Sequence, residues 1–130
     1  MDIKTHKQID QNLCGTPLEV SEGFSRIELL LAENMTADES GLIHGGFVFG
    51  LADYAAMLAV NHPNVVLGSA DVKFLKPLKK GDTVVAEARV ENITGKKQTV
   101  RVTVENKNTK VFEGTFTCFV LEKHILSEPR

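Results

Sequence analysis

The stretch Gly41–Asn64, GLIHGGFVFGLADYAAMLAVNHPN, decides how the rest of the chain is read. Gly45 and Gly46 open a run rich in Ala, Leu and Met, and Asn61 with Pro63 closes it, as helix start and stop signals do. The expected helix covers about Gly46 to Asn61. Its apolar residues fall on every side of a 3.6-residue turn, where a surface helix would show only a stripe. Such a helix needs cover all round. The run Phe47–Val60 is interrupted by Asp53 and is shorter than the ~20 residues of a membrane span, so the expected cover is protein and no membrane partner is expected.

Outward from the helix the chain reads as strands. Ile27, Leu29 and Leu31 alternate with Arg26, Glu28 and Leu30 between Phe24 and Leu31, a period of two that predicts a strand with one buried face. Val65 to Leu75 supplies a strand directly after the helix. Val84, Ala86, Ala88 and Val90 form one alternating set and Val100, Val102 and Val104 another, separated by the turn signal NITGKK, which predicts a hairpin. Phe112, Phe116, Cys118 and Val120 share one face of a last long strand. One strand, a buried helix and four more strands with short connections favour antiparallel pairing, hence an α+β domain in which a curved sheet wraps one long central helix.

With 130 residues there is room for one core, so 1–130 is read as a single domain, with residues 1–17 as an N-terminal extension, Met1–Asn12 loose, and residues 127–130 as a loose tail. The near-neutral charge of -2 gives no strong field for nucleic acid. MDIKTHKQIDQNL lacks the apolar run of a secretory signal, and the expected location is cytoplasmic. Cys14 and Cys118 are expected as reduced, packed thiols, and the scattered His6, His44, His62 and His124 suggest no metal site.

The motif GLIHGGFVFGLADYAAM, continued by VVLGSADVKFLKPLKKGDTVVAEARV, resembles the hotdog-fold acyl-CoA thioesterase superfamily and within it the phenylacetate-type enzymes. The resemblance runs from about Glu33 to Val120 and extends to the acyl-CoA-binding domain of a bacterial fatty-acid-synthesis repressor. It implies the hotdog fold, a role in fatty acid metabolism and a dimer with shared sites, dimers of dimers being common. It further implies that His44 shapes the loop, and that Asp38 stands where many such enzymes place an Asn whose amide assists the substrate carbonyl. The NP-x-H segment of the related hydratases is missing, which speaks against dehydration.

Elementary chemistry points to the same residues. A thioester carbonyl gains negative charge when attacked, and amides at a helix N-terminus can receive it; Gly45 and Gly46 let a ligand approach closely. Asp53, within an apolar helix, faces a desolvation cost that raises its pKa toward the range of a general base. Eight residues of helix are about 12 Å, so Gly45 and Asp53 of one helix cannot act on one carbon. A second subunit with an antiparallel helix would bring its Asp53 opposite Gly45, giving two sites per homodimer. If Asp38 and Asp53 met across that dimer they would titrate as a coupled pair. Lys73, Lys76, Lys79 and Lys80 crowd the region past the helix, where they either hold coenzyme A phosphates or are simply solvated.

The function expected is therefore acyl-CoA thioester hydrolysis at a shared site, with Gly45 and Gly46 polarising the carbonyl and Asp53 as base or nucleophile. Asp38, His44 and the four lysines are the expected substrate-binding residues. No cofactor is expected apart from the coenzyme A of the substrate. The alternative is a non-catalytic acyl-CoA sensor; because only about 20 residues precede the first strand, direct DNA binding is not expected.

Overall fold

The computed structural model describes residues 1–127. A short helix, α1 (Gln11–Cys14), leads into β1 (Thr16–Ser21) and β2 (Phe24–Leu30); the long helix α2 (Gly45–Val60) follows, then β3 (Val65–Phe74), β4 (Thr83–Thr94), β5 (Lys97–Asn106) and β6 (Thr109–Val120). The strands form one six-stranded antiparallel sheet in the order β1-β2-β4-β5-β6-β3, curved around α2. This is the hotdog arrangement.

Alternation becomes burial as expected. Ile27, Leu29 and Leu31, then Val84, Ala86 and Ala88, then Val100, Val102 and Val104, and finally Phe112, Phe116 and Cys118 are all buried and meet in one core against α2. The hairpin expected at NITGKK closes with Thr94 opposite Lys97. Small side chains on the helix (Ala52, Ala55, Ala56 and Ala59, all buried) let the sheet approach closely. Ser25 on β2 donates its hydroxyl to the carbonyl of Ala55 at 2.6 Å, a buried bond that ties sheet to helix.

Two differences from the sequence reading concern the N-terminal part. β1 begins at Thr16, inside the expected extension, and none of its side chains is fully buried, so hydrophobic periodicity was silent there. The stretch Met1–Asn12, expected to be loose, is tied to the far end of the helix. Asn61 takes a left-handed conformation as the helix C-cap; its Oδ1 accepts from the amide of Lys4 and its Nδ2 donates to the carbonyl of Asp2, each at 2.8 Å. Thr5 is buried, and Ile3, Ile9 and Leu13 pack on the core. The expected tail 127–130 begins at Ser127, which closes a 3-10 turn; its other residues lie outside the described residues.

The cover over α2 is thus nearly complete within one chain. Besides the half-buried Gly45, Phe47 and Val60, what stays open is a stripe at helical spacing: Gly46 is exposed, and Phe49, Gly50 and Asp53 are half-buried.

Asn61 supports two things that a substitution can separate. Asn61→Gly keeps the left-handed cap and removes both bonds to the N-terminal segment, whereas Asn61→Ala also strains the cap. Urea unfolding should show a loss of about 1–2 kcal/mol for Gly and roughly 1 kcal/mol more for Ala, and hydrogen exchange of residues 3–9 should accelerate in both. Unchanged exchange there would mean that Asn61 does not anchor the segment.

Candidate active site

The glycine pair is held by the loop before it. Within that loop the amide of Ala37 donates to Leu42 at 2.7 Å, Ile43 donates to Leu78 at 2.9 Å, and Lys80 donates to Gly41 at 2.8 Å, which locks the loop to the β3–β4 connection. His44 is the helix N-cap through its backbone, and its own amide donates to Met35 at 3.0 Å. Its imidazole lies across the start of the helix: a Cβ on Gly46 would stand 2.9 Å from His44 Nε2. A Cβ on Gly45 would stand 3.0 Å from the ring of Phe74. Both glycines therefore have a packing reason as well as a chemical one. Among the described residues neither the Gly45 nor the Gly46 amide has an acceptor, as expected at the first turn of a helix.

A cleft of about 290 Å³ opens beside Gly45, lined by Ile43, Val48, Phe74, Lys76 and the Pro77–Leu78 pair among others. Phe74 and Pro77 were not singled out from the sequence. They lie in the FLKP segment that carried part of the resemblance, and only the folded chain shows Phe74 stacked edge-on against Phe112, with ring centres 5.1 Å apart, over Gly45.

Asp53 lies two turns along α2 on the open stripe. Its Oδ1 is buried and has no hydrogen-bond partner among the described residues. Burial pushes its pKa up to about 6. Burial, with a further contribution from the charge of Asp53, pushes the buried Cys118 thiol up to about 12; burial first, then Asp10 and Asp53, raises Cys14. Both cysteines are free thiols whose thiolate forms are disfavoured by burial.

The remaining candidates are dispersed. Asp38 is exposed and uses one carboxylate oxygen on its own loop, accepting from the Ser40 hydroxyl at 2.6 Å and the Ser40 amide at 3.0 Å. The Ser40 hydroxyl, first, and backbone amides hold its pKa below the ordinary value. Asp38 therefore stays ionised as a loop cap, and within one chain nothing couples it to Asp53. Lys80 pairs with Glu33 at 2.7 Å. Lys73 extends from the exposed part of β3 opposite Glu113. Of the four lysines Lys76 alone lines the Gly45 cleft, while Lys79 lines its neighbour beyond Pro77.

Residues 40–113 match the model of the thioesterase superfamily. The chain is 54% identical over 123 residues to methylthioribose-1-phosphate isomerase of Aquifex aeolicus, covering 94% of this chain and 27% of that protein. It is 30% identical over 96 residues to the transcription factor FapR of Caldanaerobacter subterraneus, covering 74% of this chain and 48% of FapR. It thus spans about a quarter and about half of those two relatives. Among solved structures, an uncharacterised protein of Pyrococcus horikoshii superposes with a TM-score of 0.96 at 51% identity, over 98% of both chains. A variant of the phenylacetic acid degradation protein PaaI of Thermus thermophilus gives 0.78 at 31%, over 84% of this chain and 95% of that one. A Streptococcus mutans protein with acetyl-CoA bound gives 0.76 at 26%, over 85% and 90%.

The raised pKa of Asp53 has a stability consequence of definite sign. Between about pH 4 and 6 the folded chain keeps a proton that the unfolded chain has lost, so folding stability falls as pH rises through that window. Above it, the ionised carboxylate is a burden. Asp53→Asn should therefore be more stable than wild type by roughly 1–3 kcal/mol at pH 8, and the gap should shrink toward zero near pH 4. Urea titrations at the two pH values give the test; a gap that does not vary with pH would mean that Asp53 is not desolvated.

Proposed function

The chain belongs to the thioesterase superfamily, and from that premise we propose that it hydrolyses acyl-CoA thioesters at a site shared between two copies of itself. One observation carries the reading: a half-buried carboxylate with a pKa near 6 stands on the same open helix stripe as a glycine helix start, and among the described residues neither the Oδ1 of Asp53 nor the glycine amides have a hydrogen-bond partner.

The separation of about 12 Å along α2 requires the second copy. β3 invites it, since it lies at the sheet edge, pairs with β6 alone among the described residues, and is exposed over most of Gly68–Phe74. Two copies joined there with antiparallel helices would cover both open stripes and set Asp53 of the partner subunit across from Gly45. The thioester carbonyl then accepts from the Gly45 amide, with Gly46 beside it. Water, giving its proton to Asp53 of the partner subunit, adds to the carbonyl carbon; the C–S bond breaks, Asp53 of the partner subunit returns the proton to the departing sulfur, and the thiol and a carboxylic acid leave. Direct attack by the carboxylate, through an anhydride that water then opens, uses the same atoms.

The acetyl-CoA bound to the S. mutans protein and the phenylacetic acid degradation role named for PaaI support a coenzyme A thioester as substrate. The isomerase relative is a much longer protein of which this chain matches 27%, so its activity does not transfer to this chain. The match to FapR favours a second reading, binding of an acyl-CoA without turnover.

Asp53→Asn separates the two. Hydrolysis over a panel of short, aromatic and long acyl-CoAs should fall by ~10²–10⁴-fold while affinity for the best substrate changes little. With an ionised base required, kcat/KM of the wild type should rise through about pH 6 and level off above it. Binding without hydrolysis by the wild type would select the sensor. A monomer in sedimentation at micromolar concentration would remove the shared site.

A further inference from the structure

The Gly45 cleft meets the β3–β4 connection at Pro77 and Leu78. Pro77 and Leu78 wall it on one side and, on the other, wall a second cavity of about 440 Å³ that reaches to the β5–β6 turn. Lys79, Asp82, Asn106 and Lys107 supply most of the polar groups of this second cavity. The larger volume is in the range of small-molecule sites and the smaller just under it, and the two lie side by side with Pro77 and Leu78 as a shared wall.

The polar groups are of a particular kind. Asn106 Oδ1 is buried and receives no hydrogen bond among the described residues; an acceptor left so is costly unless something donates to it. Lys79 and Lys107 make no ion pair among the described residues, although the nearby Lys80 and Lys110 do. Lys107 and Asn108 form the two-residue hairpin turn with φ of 50° and 69°, a conformation that Gly or Asn ordinarily supplies, so the lysine is kept there against its backbone preference. Asp82 accepts from the Lys79 amide at 3.0 Å, and as an acceptor-only group it suits a hydroxyl or amine rather than a phosphate.

We propose that this second cavity holds the nucleotide end of the coenzyme A ligand, with Lys79 and Lys107 on its phosphates and Asn106 Oδ1 accepting from the adenosine. The inference rests on the acyl-CoA reading above. A thioester carbonyl at the Gly45 amide directs its pantetheine arm out of the cleft past Pro77. Beyond that arm, coenzyme A is first anionic and then rich in amine and hydroxyl donors, and the cavity presents cations and unpaired acceptors. Neither Asn106 nor Lys107 is needed for the carbonyl chemistry, so they serve affinity for the carrier and not the reaction.

The test compares three probes, coenzyme A, dephospho-coenzyme A and pantetheine, by calorimetry or inhibition at low ionic strength. Wild type should bind coenzyme A at least ~10-fold more tightly than pantetheine. Lys79→Gln combined with Lys107→Asn, the latter chosen because Asn tolerates the left-handed turn, should weaken coenzyme A by ~10–100-fold and leave pantetheine unchanged. Asn106→Ala should weaken coenzyme A and dephospho-coenzyme A alike. Lys110→Gln, which removes a nearby charge that is paired with Glu113 and does not line the cavity, should change none of the three. If coenzyme A binds and the paired lysine variant binds it as tightly as wild type, or if pantetheine binding falls equally, the nucleotide site is wrong while the acyl-CoA reading stands. If wild type binds neither coenzyme A nor any acyl-CoA, both fall together.

Discussion

The structure depends on the burial of one helix that is apolar on almost every side. The sixteen residues of α2 carry no ordinary charged face, and the single acid among them is the group that one chain leaves part-open. A sheet of six strands curved round the helix removes most of that surface from water, at ~25 cal/mol per Å² of apolar area. The N-terminal segment, clipped to Asn61, covers part of what the sheet does not reach. The residual stripe of Gly46, Phe49, Gly50 and Asp53 is where demands of folding end and those of chemistry begin.

That stripe holds two groups which stability alone does not favour. The amides of Gly45 and Gly46 are unpaired as any helix start leaves them, but His44 and Phe74 pack so tightly over the two residues that only glycine fits without movement of a ring. Asp53 lowers folding stability at neutral pH because its ionised form is poorly solvated and has no donor among the described residues. A carboxylate kept at such expense is commonly one with work to do, and the same desolvation that burdens the fold tunes its basicity toward neutral pH.

Much of this was legible in the sequence because strand alternation and an uninterrupted apolar helix are direct images of burial. Ile27, Leu29 and Leu31, and the two valine-rich sets on β4 and β5, show their buried faces in the alternation itself. β1 did not, since an edge strand with no buried side chain leaves no periodic trace. The anchoring of the N-terminus escaped for another reason: it rests on one asparagine, Asn61, whose bonds span 57 and 59 residues and have no local signature. At the site the motif HGG and Asp53 stood out, whereas Phe74 over Gly45, the loop-capping role of Asp38 and the pairing of Lys80 with Glu33 depend on which loops meet. Charge alone does not separate Lys76 from Lys80; position at the cleft does.

On the proposed shared-site reading, the geometry of one chain gives a physical reason for placing the reacting groups in separate copies. A helix N-terminus offers its amides at one end, and a carboxylate on the same helix face must lie some turns away to be surrounded by apolar neighbours that raise its pKa. Moving the acid nearer would set it beside the partial positive charge of the helix start, which lowers a carboxylate pKa and would weaken it as a base. Distance along the helix thus protects the basicity of Asp53, and in the proposed dimer a twofold pairing would restore the proximity that distance removes. The open edge of β3 and the open stripe on α2 are consistent with a chain whose site is completed by a second copy.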